Sequence, residues 1–252
     1  MKTATTVAKL CRVIEQFQDH QSFGLTDLAR RAELLPSDVH RILASLRVFG
    51  YIEQDPESRK YRLGFSLLRL GLAAFNRNQL CEKAHPVLRR LSAEIAATTR
   101  LAFLDRRELK VFLVDQVRGP SDMVFGDHLG GAERLHCTAL GKTIVANLSQ
   151  DIAVSALEKS GLTRLTRRTI TERSILERQF KEIRIFGYAV DREECISGVC
   201  CLASPLRDTA GDVIGAISTS MPSSEFIAWD ESRLGARIKA AALRVSTSIQ
   251  KA

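Results

Sequence analysis

One stretch constrains this chain more than any other: residues 25–63, LTDLARRAELLPSDVHRILASLRVFGYIEQDPESRKYRL. Val39, Ile42, Leu43 and Leu46 recur at i, i+3, i+4 and i+7, which predicts a helix with one buried face. The opposite face carries Ser37, His40, Arg41, Ser45 and Arg47, side chains that reach phosphates or base edges. Pro36 can open this helix because its missing N–H is not needed there, and Gly50 suits a left-handed cap after Phe49. Before it, Thr26 is the expected N-cap of a short helix through Ala32, with Leu25, Leu28 and Ala29 inward. A tight turn at Glu33 and Leu34 joins the two. Residues 51–63 alternate at both ends around a polar middle and read as two strands with a loop. Arg59, Lys60 and Arg62 fall where such a wing would meet a phosphate backbone.

A further helix is expected over residues 5–20, with Val7, Leu10, Cys11, Ile14 and Phe17 on one stripe. Three helices, a short turn, an Arg- and His-bearing face and a basic hairpin together point to a winged helix-turn-helix that reads duplex DNA. A purely structural three-helix cluster would not require that combination. Net charge supports the reading only weakly. The chain carries +8 overall, but residues 1–64 hold 10 Lys and Arg against 8 Asp and Glu. Local geometry must carry the assignment.

The run Leu28-Ala29 through VHRILASL to GYIEQDPESRKYRLG resembles the N-terminal domain of the IclR family of bacterial transcription regulators. Three positions depart from that pattern. Glu33 stands where the family often has Gly, the proline comes one place later at Pro36, and Asp38 replaces a usual Ser or Thr. An acidic group there would repel phosphate but could accept from a cytosine amino group.

After Gly64 the sequence FSLLRLGLAAFNRNQL is apolar on more than one face, so the expected linker helix over 65–80 needs burial on several sides. A second copy of itself is the economical cover, and the resemblance implies the same dimer role. From residue 81 to 252 an opening helix carries Val87, Leu88, Leu91 and Ile95, and strand-like runs flank a polar turn at 105–108. Helical patterns follow at 138–148, 152–160 and 174–186. Strand-like runs return at 188–191, 197–206 and 213–221, and a last helix aligns Leu234, Ile238, Ala241, Val245 and Ile249. The expected fold class is therefore α+β: a winged domain over 1–64, a linker helix, and an α/β domain over 81–252 with a mainly antiparallel sheet. The resemblance makes that second domain GAF-like and effector-binding.

Three segments carry its chemistry. In LHCTALGK, residues 135–142, a polar loop enters a helix near Thr138, and amides at a helix N-terminus suit a carboxylate. Residues 187–194 form an acidic patch leading into SGVCCLASP. In residues 215–222, Ser218 and Ser220 alternate onto one strand face. By resemblance Ala139, Leu140, Asp191, Val199, Cys201, Ser218 and Ser220 line a pocket for a small organic molecule. Met123 and Phe125 form its apolar side, and His136 is counted with them.

Two other readings compete. His136 beside Cys137, with Asp191 elsewhere, invites a Cys–His nucleophile, but adjacent residues usually point apart and no GxSxG, P-loop or HExxH occurs. His136, Cys137, Cys195, Cys200 and Cys201 have zinc-compatible donors, or could sense redox state, but Cys200 and Cys201 lack chelating spacing. The expectation is a binding protein with no catalytic residue, cofactor or metal. Its expected partners are a palindromic operator, a small carboxylate or aromatic effector, and a second copy in a homodimer or pair of dimers. No run approaches the roughly 18 apolar residues of a membrane helix, and the amphipathic start is unlike a signal peptide, so a cytoplasmic location is expected.

Overall fold

The computed structural model describes residues 5–18, 22–76, 79–120 and 129–250. The chain divides into two compact units, residues 1–78 and 79–252. The first contains α1 (Thr5–Glu15), α2 (Leu25–Arg31), α3 (Pro36–Val48), the hairpin β1 (Ile52–Gln54) and β2 (Tyr61–Leu63), and α4 (Phe65–Asn76). Its core gathers Val13, Phe17, Phe23, Leu28, Val39, Leu43, Leu46, Ile52 and Tyr61. All four apolar positions of the α3 stripe are buried. Gly50 follows with φ +67, a left-handed turn that a side chain would strain.

Two local expectations are corrected. In α1 the buried line runs through Leu10, Val13, Ile14 and Phe17, while Val7 and Cys11 are exposed. The sequence is apolar on more than one face, so two stripes share the same spacing, and packing against α3 selects the later phase. Thr26 is not the N-cap of α2; Gly24 is, without a side-chain bond. The cause lies in Phe23, whose N–H and C=O both bond Tyr61 of β2 (2.9 and 2.7 Å). This bridge fixes the chain's entry and starts the helix one residue before Thr26.

The second unit holds a five-stranded, wholly antiparallel sheet in the order β4-β3-β7-β6-β5. Its strands are β3 (Thr98–Asp105), β4 (Lys110–Val117), β5 (Ala189–Arg192), β6 (Val199–Arg207) and β7 (Val213–Pro222). Alternation divides its side chains between two cores. On one face Leu101, Leu202 and Ile217 pack with α5 (Gln79–Ile95) and α10 (Glu231–Gln250). On the other, Ala102, Ala203 and Ala216 pack with α6 (Ala139–Ala146), α7 (Gln150–Ser160) and α8 (Arg173–Phe186). Those alanines let α6 approach closely, and all eight of its residues are buried. A short helix, α9 (Ser223–Phe226), has no counterpart in the sequence reading. Among the described residues no helix is long and apolar enough to cross a membrane.

Candidate DNA interface and effector cleft

In the first unit the exposed side of α3 presents Ser37, His40, Arg41 and Ser45 together. At 13 residues the helix is roughly 20 Å long, a length and width that a major groove admits. Its N-terminal end is braced. Asp38 accepts from Lys9 of α1 at 2.6 Å and from Arg41 at 3.1 Å, and Lys9 foremost holds its carboxyl below the usual carboxylate range. The acidic group at this position is therefore occupied within the unit. Arg41 remains largely exposed.

The wing is organised by one carboxylate. Asp55 Oδ1 accepts from the N–H and hydroxyl of Ser58, both at 2.7 Å, and turns the chain back toward β2. Arg59 adopts φ +58, and Arg59 and Lys60 project into solvent. Arg47, at the end of α3, donates to Gln54 of β1, whose amide in turn donates to the Arg59 carbonyl. Arg47 thus ties the helix to the wing. Arg62 pairs with Glu53 across the hairpin at 3.0 Å, and Thr26 is exposed on α2. Ser45 back-bonds to the Arg41 carbonyl.

In the second unit one cleft is lined by Arg100, Glu133, Thr138, Ala139, Leu140, Asp191, Cys195, Ile196, Val199, Cys201, Ser218 and Ser220. Its cavity volume is about 20 Å3. That is room for about one water, so a larger ligand must part the walls. Seven of the sequence-stated positions meet here: Ala139, Leu140, Asp191, Val199, Cys201, Ser218 and Ser220. Met123 and Phe125 lie outside the described residues.

His136 does not line the cleft. It is buried behind it, with Nε2 at 3.0 Å from the Thr163 carbonyl. Its Nδ1 is buried without a hydrogen-bond partner. Burial opposes charging His136, but Cys137 and the Thr163 carbonyl prevail and raise its pKa.

Cross-strand register assembles one wall. Arg100 stands opposite Ser218, and Cys201 opposite Ser220, with Cys201 Sγ donating to Ser220 Oγ at 3.2 Å. Thr138 caps α6 by accepting from Gly141 N at 3.0 Å, while the first-turn amides of Ala139 and Leu140 have no acceptor within the helix. Gly141 is required where it stands, since a Cβ would lie 2.3 Å from the Arg134 carbonyl oxygen.

Asp191 is buried, and its Oδ1 accepts from Glu194 N at 2.7 Å. Burial pushes its pKa up to about 7, against the opposing pull of that hydrogen bond and Lys142. Lys142 is itself fully buried. Its Nζ donates to Glu194 Oε1 and the Val190 carbonyl, both at 2.6 Å, and to Gln179 at 3.2 Å. This ion pair pins the β5–β6 loop to α6 behind the cleft. Arg100, Glu133 and Ile196 were not read from the sequence, while Thr138 was read there as the start of the helix and Cys195 as a metal or redox candidate. Among the described residues no group of three or more His, Cys, Asp or Glu side chains could hold a metal ion.

A family model described as the bacterial transcriptional regulator IclR C-terminal domain matches residues 72–247, and the IclR helix-turn-helix domain matches residues 6–56. The chain belongs to the IclR family. XynR of Escherichia coli (strain K12), an HTH-type transcriptional regulator, is 31% identical over 87% of this chain and 87% of its own length. The acetate operon repressor of Salmonella typhimurium is 29% identical over 91% of this chain and 84% of its own. Among solved structures, an IclR homologue from Microbacterium hydrocarbonoxydans complexed with 4-hydroxybenzoate shares the fold. Its TM-score is 0.83 at 23% identity, covering 98% of this chain and all of that one. The protein is a helix-turn-helix transcription regulator with an IclR-type C-terminal domain.

Proposed function

We propose that this IclR-family chain is a dimeric repressor whose operator affinity is set by a small carboxylate or aromatic effector in the C-terminal cleft. The observation that carries the output side is the exposed face of α3 beside a basic wing tip. Ser37, His40 and Arg41 are exposed where they can meet base edges, and Arg59 and Lys60 where they can meet the flanking backbone. Two α3 helices related by a two-fold axis require a palindromic or near-palindromic site. The dimer reading is supported by α4, where Phe65, Leu68, Leu70, Leu72 and Phe75 are all exposed in the single chain.

The input side is supported by the cleft. The Ala139 and Leu140 amides at the start of α6 suit a carboxylate, and Leu140, Ile196 and Val199 suit an apolar body. The 4-hydroxybenzoate carried by the Microbacterium homologue is a ligand of that kind. The protein acts by binding, without turnover of its effector. An effector can shift operator affinity only by its differential affinity for the two states.

The test is selection from a random duplex library, followed by titration of Arg41→Ala. A palindromic sequence should be enriched, and the variant should lose roughly 1–3 kcal/mol on that sequence while its binding to unrelated DNA changes little. An absence of sequence enrichment would refute the reading. A uniform loss on all DNA would reassign Arg41 to a phosphate contact.

A further inference from the structure

Two helical stripes in the second unit face one another without meeting. Ala153, Val154 and Leu157 line up on α7, and Phe180, Lys181 and Arg184 repeat the same spacing on α8. Both helices pack on α6 but hardly on each other. Between them lies a groove of about 400 Å3, which Val145 and Leu148 at the end of α6 also line. Arg173, the first residue of α8, reaches Glu158 in the last turn of α7 at 3.6 Å and bridges the two helices at one end. The interior is apolar: Leu157 and Phe180 are buried, and Leu148, Ala153 and Val154 are half-buried. The rim is mostly cationic. Arg173, Lys181 and Arg184 stand against one carboxylate, Glu177, which Arg173 already engages at 3.1 Å. Lys181, one turn further on, is exposed and has no ion-pair or hydrogen-bond partner among the described residues. Arg184 donates Nη1 to the Ala146 carbonyl at 2.7 Å, and its other N–H groups have no partner among the described residues.

We propose that the groove between α7 and α8 is a second small-molecule site, separate from the effector cleft, that takes an amphiphilic monocarboxylate. The carboxylate sits against Lys181 and Arg184, whose free N–H groups are donors without an acceptor. Its aliphatic or aryl body lies between Val154, Leu157 and Phe180, where it displaces water from apolar walls that α7 and α8 do not cover for each other. The volume is that of a small ligand site, and the Arg173–Glu158 bridge stands across one end, against a peptide threading through. A cationic ligand would meet three positive groups and only one negative. The groove shares no residue with the cleft. The two are nevertheless joined by one element, since Ala139 and Leu140 at the start of α6 line the cleft and Val145 near its end lines the groove. Eight residues, about 12 Å of helix, separate them.

The site does not rest on the effector reading, and its test uses neither effector nor DNA, so a failed titration leaves the operator and the cleft as they stand. Full-length protein is titrated with octanoate by calorimetry at pH 7, beside acetate, which has the head without the body, and octylamine, which has the body with the opposite charge. Octanoate should bind at one site per chain, and the two controls should not. Lys181→Glu should weaken octanoate roughly tenfold or more and admit octylamine in its place, an inversion that a merely structural lysine would not produce. Val154→Trp, which fills the groove from α7, should abolish octanoate binding. If that variant unfolds by circular dichroism, Lys181→Glu decides alone, because its side chain is exposed and belongs to no core. Octanoate that does not bind, that binds no better than octylamine, or that binds Lys181→Glu or a folded Val154→Trp as tightly as the wild type would overturn the proposal.

Discussion

Asp191 is the residue whose environment makes the clearest demand on behaviour. Its folded pKa of about 7 lies above the ordinary 3.8, so between about pH 4 and pH 7 the folded chain keeps a proton that the unfolded chain has released. Stability contributed at this site is therefore greatest below about pH 4, falls through that window and is constant above it. Asp191→Asn keeps an oxygen to accept from Glu194 N–H but carries no charge to bury. We expect the variant to be more stable than the wild type by about 2–4 kcal/mol at pH 8, the difference vanishing near pH 4. Denaturant titrations at both pH values measure it, and an unchanged difference across the window would rule out a buried ionising Asp191. Asp191, Ser218 and Ser220 were accessible to sequence reasoning through the family pattern and through strand alternation. Arg100 was not, because it reaches the cleft only through the pairing of Arg100 with Ser218, and register is absent from a linear sequence. Cys195 and Ile196 depend on a loop that includes Glu193 at φ +62, a conformation that no periodicity announces.

Among the elements, the turn between α2 and α3 shows how a departure from the family's pattern has a physical cost. Glu33 holds φ +55, the left-handed region that Gly enters freely and a side chain enters at about 1–2 kcal/mol. Its side chain is exposed, so little packing is lost on removing it. Glu33→Gly should stabilise the winged unit by about 1 kcal/mol, reduced by the greater entropy that Gly has when unfolded. A loss of stability in thermal melts would show that the carboxylate does more than occupy the turn. The contact between α1 and α3 makes a complementary demand through Asp38, which Lys9 and Arg41 both approach. Asp38→Ala should loosen the start of α3 and release Arg41, with faster amide exchange in the first turn of α3. Unchanged exchange would argue that the brace is dispensable. Apart from the four-residue α9, helix existence and strand order in the chain were legible because period and turn residues agreed. The phase of α1 was not, since packing against α3 selects it, nor was the start of α2, which Phe23 bonding to Tyr61 decides from 38 residues away.

For the whole molecule, the decisive quantity is how the apolar side of α4 is covered. Phe65, Leu68, Leu72 and Phe75 fall at i, i+3, i+7 and i+10, a single stripe, and each is at least 40% exposed in one chain. Water-facing stripes of this kind are costly, and a two-fold partner would cover each stripe with its equal. Leu68→Asp with Leu72→Asp should therefore convert a dimer into a folded monomer, because neither residue belongs to a core of its own chain. Sedimentation equilibrium reads the mass, and circular dichroism confirms the fold. On a palindromic operator the same variant must bind each half-site separately. It loses the effective concentration that the first bound half provides to the second, which corresponds to roughly 10²–10⁴ in affinity. Binding to an isolated half-site should be unchanged, since α3 and the wing are untouched. A variant that stays dimeric would place the interface elsewhere. One that becomes monomeric yet keeps full palindrome affinity would show that the two winged units do not act together on DNA.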